Sequence, residues 1–431
     1  MNSKDIIDVM VQKANLALEK YMKIDQKKVD EIVSKMTQAA IENSEKLALM
    51  AFEETKKGNF KDKISKNIFA SKNVFYSIKN EKTVGIINEN KSEGVIEIAD
   101  PLGVIAGVTP VTNPTSTVIF KALICAKTRN PIIFGFHPGA KNCCIETAKI
   151  LRDAAVSAGA PEDSIQWIEE PSIEATSGLM NHPGVAVVLA TGGFAMVKSA
   201  YSTGKPALGV GPGNVPCYIE KTANVQRACE DVLLSKTFDN GMICASEQSV
   251  IVDKEISKEF EEAAKKLGFY FLSDSEAKKL SGFIFNEANG KLNVKIVGQS
   301  ACDIAKMADI NVPENTKILV AKLDKAGHDV PLSAEKLSPI LGYFVSNDLN
   351  EAFKICESIL DFGGRGHTAS IHSENSEVIK NFGLKMIAGR ILVNTPSSQG
   401  AIGGIYNSNI PSLTLGCGSH GKNSVSSNIS I

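Results

Sequence analysis

The sequence predicts an α/β protein of two doubly wound α/β lobes plus a small β element. Three observations predict it. Between residues 104 and 240, short and almost wholly apolar runs alternate with amphipathic stretches. That alternation marks strands buried on both faces and joined by crossover helices. A second alternation of the same kind runs from 241 to about 405. Ahead of both, "TVGIIN" and "GVIEIA" flank the polar "ENKSE", and two alternating runs around a polar turn predict a long hairpin.

Taken in order, residues 3 to 80 read as helices. Apolar residues recur at helical spacing in "SKDIIDVMVQKANLALEKY" and again from Gln26 to Glu54. The hairpin follows, from Lys82 to Gly103. In the first alternation "GVIAGVTP", "PIIFGFHP", "SIQWIEE" and "GVAVVLAT" are strands. The helices between and after them are "PTSTVIFKALICAKTRN", "KNCCIETAKILRDAAVSAG", "IEATSGLMN" and "FAMVKSAYSTG". A glycine-rich loop, "GVGPGN", precedes the strand "VPCYIE". The second alternation has strands at "QSVIVD", "TKILVAKL", "ILGYFVS", "TASIHS" and "RILVNTP". There is no internal repeat, low-complexity segment or linker.

Composition narrows the function classes. The chain has 431 residues, 43% hydrophobic and 22% charged, with a formal net charge of -1, which suits a globular protein of two or three domains. So balanced a charge argues against nucleic-acid and anionic-membrane partners. The nine cysteines are odd in number and include no C-x-x-C pair. They form neither a disulfide framework nor a zinc cluster, and reduced thiols in a cytoplasmic protein are expected. The N-terminus lacks a signal-peptide core, and no apolar run reaches a membrane span.

Four local patterns carry possible chemistry. Gly192 and Gly193 stand between an apolar strand and a helix, where backbone amides can hold a phosphate or simply make a turn. "GVGPGN", Gly209 to Asn214 with Gly211 inside it, is a plain loop or a place where the backbone passes close to something. Cys244 lies in an N-G-x-x-C pattern with Asn240 and Gly241. As a nucleophile it would need exposure and a positive or amide-rich surround. Asn113 follows a strand in "VTPVTNPTS", where its amide can donate to a developing oxyanion. Each alone is more often structural. "STGKPA" is no P-loop, because Pro206 replaces the required hydroxyl residue, and "DFGGRGH" lacks the companion kinase motifs.

Their order along the chain, with "ATGGFAMVKSAYSTGKPA", "SKTFDNGMICASEQSV", "EKLSP", "GGRGHT" and "NTPSSQGAIGGIYN", resembles the aldehyde dehydrogenase superfamily over nearly the whole chain. It is most similar to the CoA-acylating branch, in particular the N-terminal half of bifunctional aldehyde-alcohol dehydrogenases. The resemblance implies a nucleotide-binding lobe (1–81 and 101–238), a catalytic lobe (239–405) and an oligomerisation element (82–100 and 406–431). It implies Cys244 as nucleophile, Asn113 and the Cys244 amide as oxyanion donors, and His367 as a histidine typical of the branch. Gly192, Gly193 and Gly211 would line the cofactor. His137 and Pro138 would meet the adenosine ribose, and Glu335 the nicotinamide ribose. Gly209 stands where hydrolytic members carry a glutamate that activates water, His137 where many carry lysine, and Ala140 where NAD-selective members often carry glutamate. The chain ends at Ile431, without the iron-dependent alcohol dehydrogenase half and without the expected final strand of this half.

The implied reaction converts aldehyde, CoA and NAD (or NADP) to acyl-CoA through a cysteine thioester. Acetaldehyde is the expected substrate, in a homo-oligomer. Butyraldehyde, succinate semialdehyde or sulfoacetaldehyde, a hydrolysing activity, or an assembly role are the alternatives. No metal is expected.

Overall fold

The computed structural model describes residues 3–285 and 291–431. Residues 286–290, inside the expected catalytic lobe, lie outside the described residues. The N-terminal region is helical as predicted, with helices at Ser3–Tyr21, Gln26–Glu42, Ser44–Thr55, Phe60–Ile68 and Val74–Ile78. Asp25 and Asn59 cap two of them, accepting from the backbone N–H of Lys28 and Asp62.

The hairpin is β1 (Gly85–Asn90) and β2 (Val95–Ala99), an isolated antiparallel pair. Ile86, Ile96 and Ile98 are each more than half exposed. Arg129 holds its base by donating to the Ala99 carbonyl at 3.0 Å.

The first sheet contains β3 (Ile105–Val108), β4 (Ile132–Gly135), β5 (Ile165–Trp167), β6 (Val187–Thr191) and β7 (Ala207–Val210). All pairs are parallel, in the order β5-β4-β3-β6-β7. Chain progression reverses between β3 and β6, and a ligand crevice opens at the carboxyl ends of strands at such a switch point. The helix Pro114–Lys127 is buried along its whole length. Its Lys121 donates to the carbonyls of Val108 (2.5 Å) and Leu189 (2.7 Å), stitching β3 to β6 beside the crevice. Burial pushes the Lys121 ammonium down to about 7.

The second sheet contains β8 (Val215–Ile219), β9 (Glu247–Asp253), β10 (Phe269–Phe271), β11 (Ile318–Lys322), β12 (Ile340–Ser346), β13 (Gly366–His372) and β14 (Ala388–Val393). Its order is β10-β11-β12-β9-β8-β13-β14, again parallel. Two features differ from expectation. "ALGV" is a strand, so Gly209 sits inside β7 rather than in a loop. The chain also changes sheets at Gly211–Asn214, well before residue 238. Parallel strands of the two lobes have the same apolar signature, so the change left no mark in the sequence.

The segment 406–431 lies against both lobes. Ile429 is buried with the first-lobe core, and Leu415 pairs with Asn428. Among the described residues no helix is long and apolar enough to cross a membrane, and no group of three metal-ligating side chains comes together.

Candidate active site

The carboxyl end of β7 meets the loop ahead of β9, where Val210 packs with Ile243 and Ala245, and the predicted site residues follow strands of the first sheet or lie at the start of strands of the second. Asn113 follows β3, His137 and Pro138 follow β4, Gly192 and Gly193 follow β6, and Gly211 follows β7. From the other side, Cys244 precedes β9, Glu335 precedes β12, and His367 is the second residue of β13.

Cys244 and His367 are brought into direct contact, with Nε2 3.2 Å from Sγ. The chain reaches Cys244 through a tight corner. Asp239, Asn240 and Gly241 are successive left-handed residues (φ 46°, 53° and 75°). A Cβ at Gly241 would come within 2.9 Å of the Ser338 backbone, so the N-G of the motif is set by a turn and a close approach. Gly213 backs onto the same loop, since a Cβ there would lie 2.1 Å from the Cys244 carbonyl oxygen.

Cys244 is half-buried. Burial, helped by the Glu335 carboxylate and outweighing the Arg390 guanidinium, pushes its thiol up to about 12. His367 is fully buried and held well below its ordinary value by burial and by Arg390, so its ring is neutral. Its Nδ1 lies 2.9 Å from the Thr368 hydroxyl, to which Arg390 Nε donates at 3.3 Å. The Thr368 O–H can donate to Nδ1, and in that tautomer the ring proton stands on Nε2, facing sulfur. Arg390 also donates to the carbonyls of His367 (2.8 Å) and Gly416 (2.7 Å). It is 6% exposed, and among the described residues no carboxylate pairs with it.

Asn113 does not touch Cys244. Its Oδ1 accepts from Lys66 at 2.6 Å, and Lys66 also contacts Asp239 at 2.5 Å. Glu335 accepts from the Gly213 amide at 3.0 Å, and burial pushes its carboxyl up to about 7. The Gly211 amide faces Cys417, where it opposes the burial that raises that thiol to about 11. Gly193 caps Phe194–Tyr201 without a side chain, is exposed, and has open space where a Cβ would be. Free amides at an open helix start suit a pyrophosphate. His137 and Pro138 are exposed nearby in the chain order, with His137 Nδ1 accepting from Gly139 N–H.

Gly209 does not leave a void. A Cβ there would lie 2.9 Å from the Tyr201 ring and 3.0 Å from Val197, and the Gly209 amide donates to the Tyr201 hydroxyl at 3.0 Å. An aromatic ring fills the place where a side chain at 209 would stand.

The aldehyde dehydrogenase family model matches residues 1–268, which include Cys244 and Asn113. The chain belongs to the aldehyde dehydrogenase family. It is 53% identical, over its whole length, to aldehyde-alcohol dehydrogenase 2 of Entamoeba histolytica, and spans 50% of that protein. The chain thus spans about half the length of the aldehyde-alcohol dehydrogenases it matches. An acetylating aldehyde dehydrogenase from Geobacillus thermoglucosidasius has the same fold with a TM-score of 0.97 at 46% identity, over 99% of this chain and 94% of that one. A propionaldehyde dehydrogenase from Rhodopseudomonas palustris, solved with bound CoA and an acylated cysteine, matches with a TM-score of 0.86 at 27% identity, over 97% and 93%. Three functional candidates were not marked by any motif in the sequence: Lys66, Tyr201 and Arg390. The only signal was position, since Tyr201 lies eight residues before Gly209 and Lys66 sits in an ordinary-looking basic helix.

Proposed function

We propose that the chain is a CoA-acylating aldehyde dehydrogenase that interconverts acetaldehyde and acetyl-CoA with NAD, through a thioester on Cys244. The observation that carries the proposal is the Cys244–His367 contact of 3.2 Å, between the loop ahead of β9 and the start of β13. The acylated cysteine and bound CoA of the R. palustris relative support it. Gly192, Gly193, His137, Pro138 and Glu335 would hold the dinucleotide. When bound, its nicotinamide supplies a hydride acceptor. The Glu54 carboxylate accepts from the amides of Asn142 and Cys143 (2.8 and 2.7 Å). Its charge beside the ribose segment would disfavour a 2′-phosphate, which favours NAD over NADP.

The steps follow from the side chains. Cys244 Sγ bonds to the aldehyde carbon and its proton passes to solvent. The neutral His367 donates from Nε2 to the sulfur as charge develops there. Asn113 and the Cys244 amide receive the charge on oxygen, each donor worth roughly 3 kcal/mol. Loss of hydride leaves the Cys244 thioester. The CoA thiol then takes the acyl group and its proton returns to Cys244, so one proton is released overall. A small neutral aldehyde is favoured because Arg390 is buried and turned onto carbonyls and Thr368, leaving no clamp for an acidic substrate.

Water needs a positioned base to compete with CoA, typically a 10²- to 10⁴-fold effect. Here Tyr201 fills the place beside Gly209. With acetaldehyde and NAD alone, stopped-flow absorbance is expected to show a burst of NADH near one per Cys244, then near-stalling until CoA is added. Free acetate formed without CoA at a comparable rate would put a hydrolytic enzyme in place of this proposal.

The same proposal gives the hairpin a partner. Exposed strand edges tend to be covered, and β1–β2 carries apolar side chains on both faces. At least a dimer is expected by analytical ultracentrifugation at micromolar concentration, and a monomeric mass would contradict it.

A further inference from the structure

Lys66 lies on the helix Phe60–Ile68 and is 3% exposed. Its ammonium touches two groups, Asn113 Oδ1 at 2.6 Å and Asp239 Oδ2 at 2.5 Å. A lysine has only donors to offer. The end of the Asn113 amide that faces it is therefore the oxygen, and the NH₂ end is turned away. Which way an asparagine amide points is often left open by its surroundings, but here a buried cation decides it.

Asn113 also forgoes an ordinary task. It stands at the N-cap of Pro114–Lys127 yet makes no side-chain capping bond, although such a bond is commonly worth about 1 kcal/mol. Among the described residues its NH₂ has only the Thr112 hydroxyl at 3.2 Å as a partner, which leaves one N–H unused there. A cation on the amide oxygen draws electron density from nitrogen and strengthens that N–H as a donor.

The second contact reaches the nucleophile. Asp239 opens the left-handed corner that delivers Cys244. It is fully buried, accepts from the Asn59 amide at 2.8 Å, and donates its own amide to Asp62 at 2.7 Å. Lys63 also pairs with Asp239, at 3.2 Å. Asp239 thus has two cations, and only Lys66 reaches on to Asn113.

We infer that Lys66 is a positioning residue of the oxyanion hole: it fixes the Asn113 amide with its N–H toward the reacting carbonyl and locks that donor to the Cys244 loop. The inference rests on the acylating reading above, in which Asn113 is the oxyanion donor.

The test is a double-mutant cycle on the NADH burst, with Lys66→Met, Asn113→Ala and the pair. Lys66→Met is expected to slow the burst roughly 30- to 100-fold in the Asn113 enzyme and less than about 3-fold in the Asn113→Ala background, with the KM for NAD unchanged. Lys63→Met, which removes the cation that does not touch Asn113, is expected to lower the melting temperature without this loss of rate. If Lys66→Met does not fold, Lys66→Gln takes its place in the same cycle; it keeps a donor for Asn113 Oδ1 but no charge, and a smaller coupling of the same sign is expected. Effects of Lys66 and Asn113 that simply multiply in an active enzyme would overturn this inference alone. Absence of aldehyde-dependent NADH formation in the unaltered protein would overturn the acylating reading and the inference together.

Discussion

Cys244→Ala is expected to abolish aldehyde-dependent NADH formation, by roughly 10⁴-fold or more, and to leave the melting temperature within about 2 °C. The other thiol near the site, Cys417, is 4% exposed and donates to the Leu415 carbonyl, so Cys244 is the better placed of the two to form a thioester. Truncation at a half-buried residue removes little packing. Mass spectrometry of the intact protein after incubation with acetyl-CoA provides the second readout, an acetyl adduct in the unaltered chain and none in the variant. Cys143→Ala, which removes a buried thiol bonded to the Ala140 carbonyl, is expected to keep most of the activity. Retention of more than a few per cent of activity by Cys244→Ala would sink the nucleophile assignment.

Asp239→Ala is expected to cost about 3–5 kcal/mol of stability, the usual result of stripping the counter-charge from a buried pair. Lys63 and Lys66 are each 3% exposed, and the variant leaves both ammonium groups without their carboxylate. Burial alone would raise the Asp239 carboxyl, but the two lysines outweigh it and hold the group below the ordinary carboxylate range. A carboxyl depressed in the folded state stabilises in full above its unfolded value of about 3.9 and loses that contribution as pH falls through the lower folded value. The variant should therefore lose part of the acid limb of the stability profile along with its midpoint. Urea unfolding at pH 7 and pH 4 measures both, and a loss below about 1 kcal/mol at pH 7 would show that the cluster is not a buried ion network.

These two residues mark how far the sequence could be read. Cys244, Asn113 and His367 could be singled out because their motifs stand at strand ends; the structure sets Cys244 against His367 and ties Asn113 to Lys66. Lys63 and Lys66 were not. In "FKDKISKNI" three lysines, at 61, 63 and 66, give the helix a basic character that suits solvent, yet Lys63, Lys66 and Asn67 form its buried face. Their burial depends on Asp239, more than 170 residues away, and no local pattern encodes such a partner. β7 was missed for a related reason. "ALGV" is short and glycine-containing, and the ring that makes glycine necessary at 209 comes from the preceding helix. The raised Cys244 thiol was invisible because it arises from packing and from Glu335, neither of which follows from the N-G-x-x-C spacing.

The guanidinium of Arg390, enclosed without an acidic neighbour, gives the resting site a standing charge imbalance. Electroneutrality is restored only when a negative charge appears close by, and neither the resting thiol nor a finished thioester carries one. On the proposed reaction the two stable states would leave the guanidinium slightly uncompensated, and the short-lived species between them would complete the balance. On the proposed reaction path that charge would sit first on sulfur and then on oxygen. One fixed cation would serve both, flattening the free-energy profile between stages instead of deepening any single well.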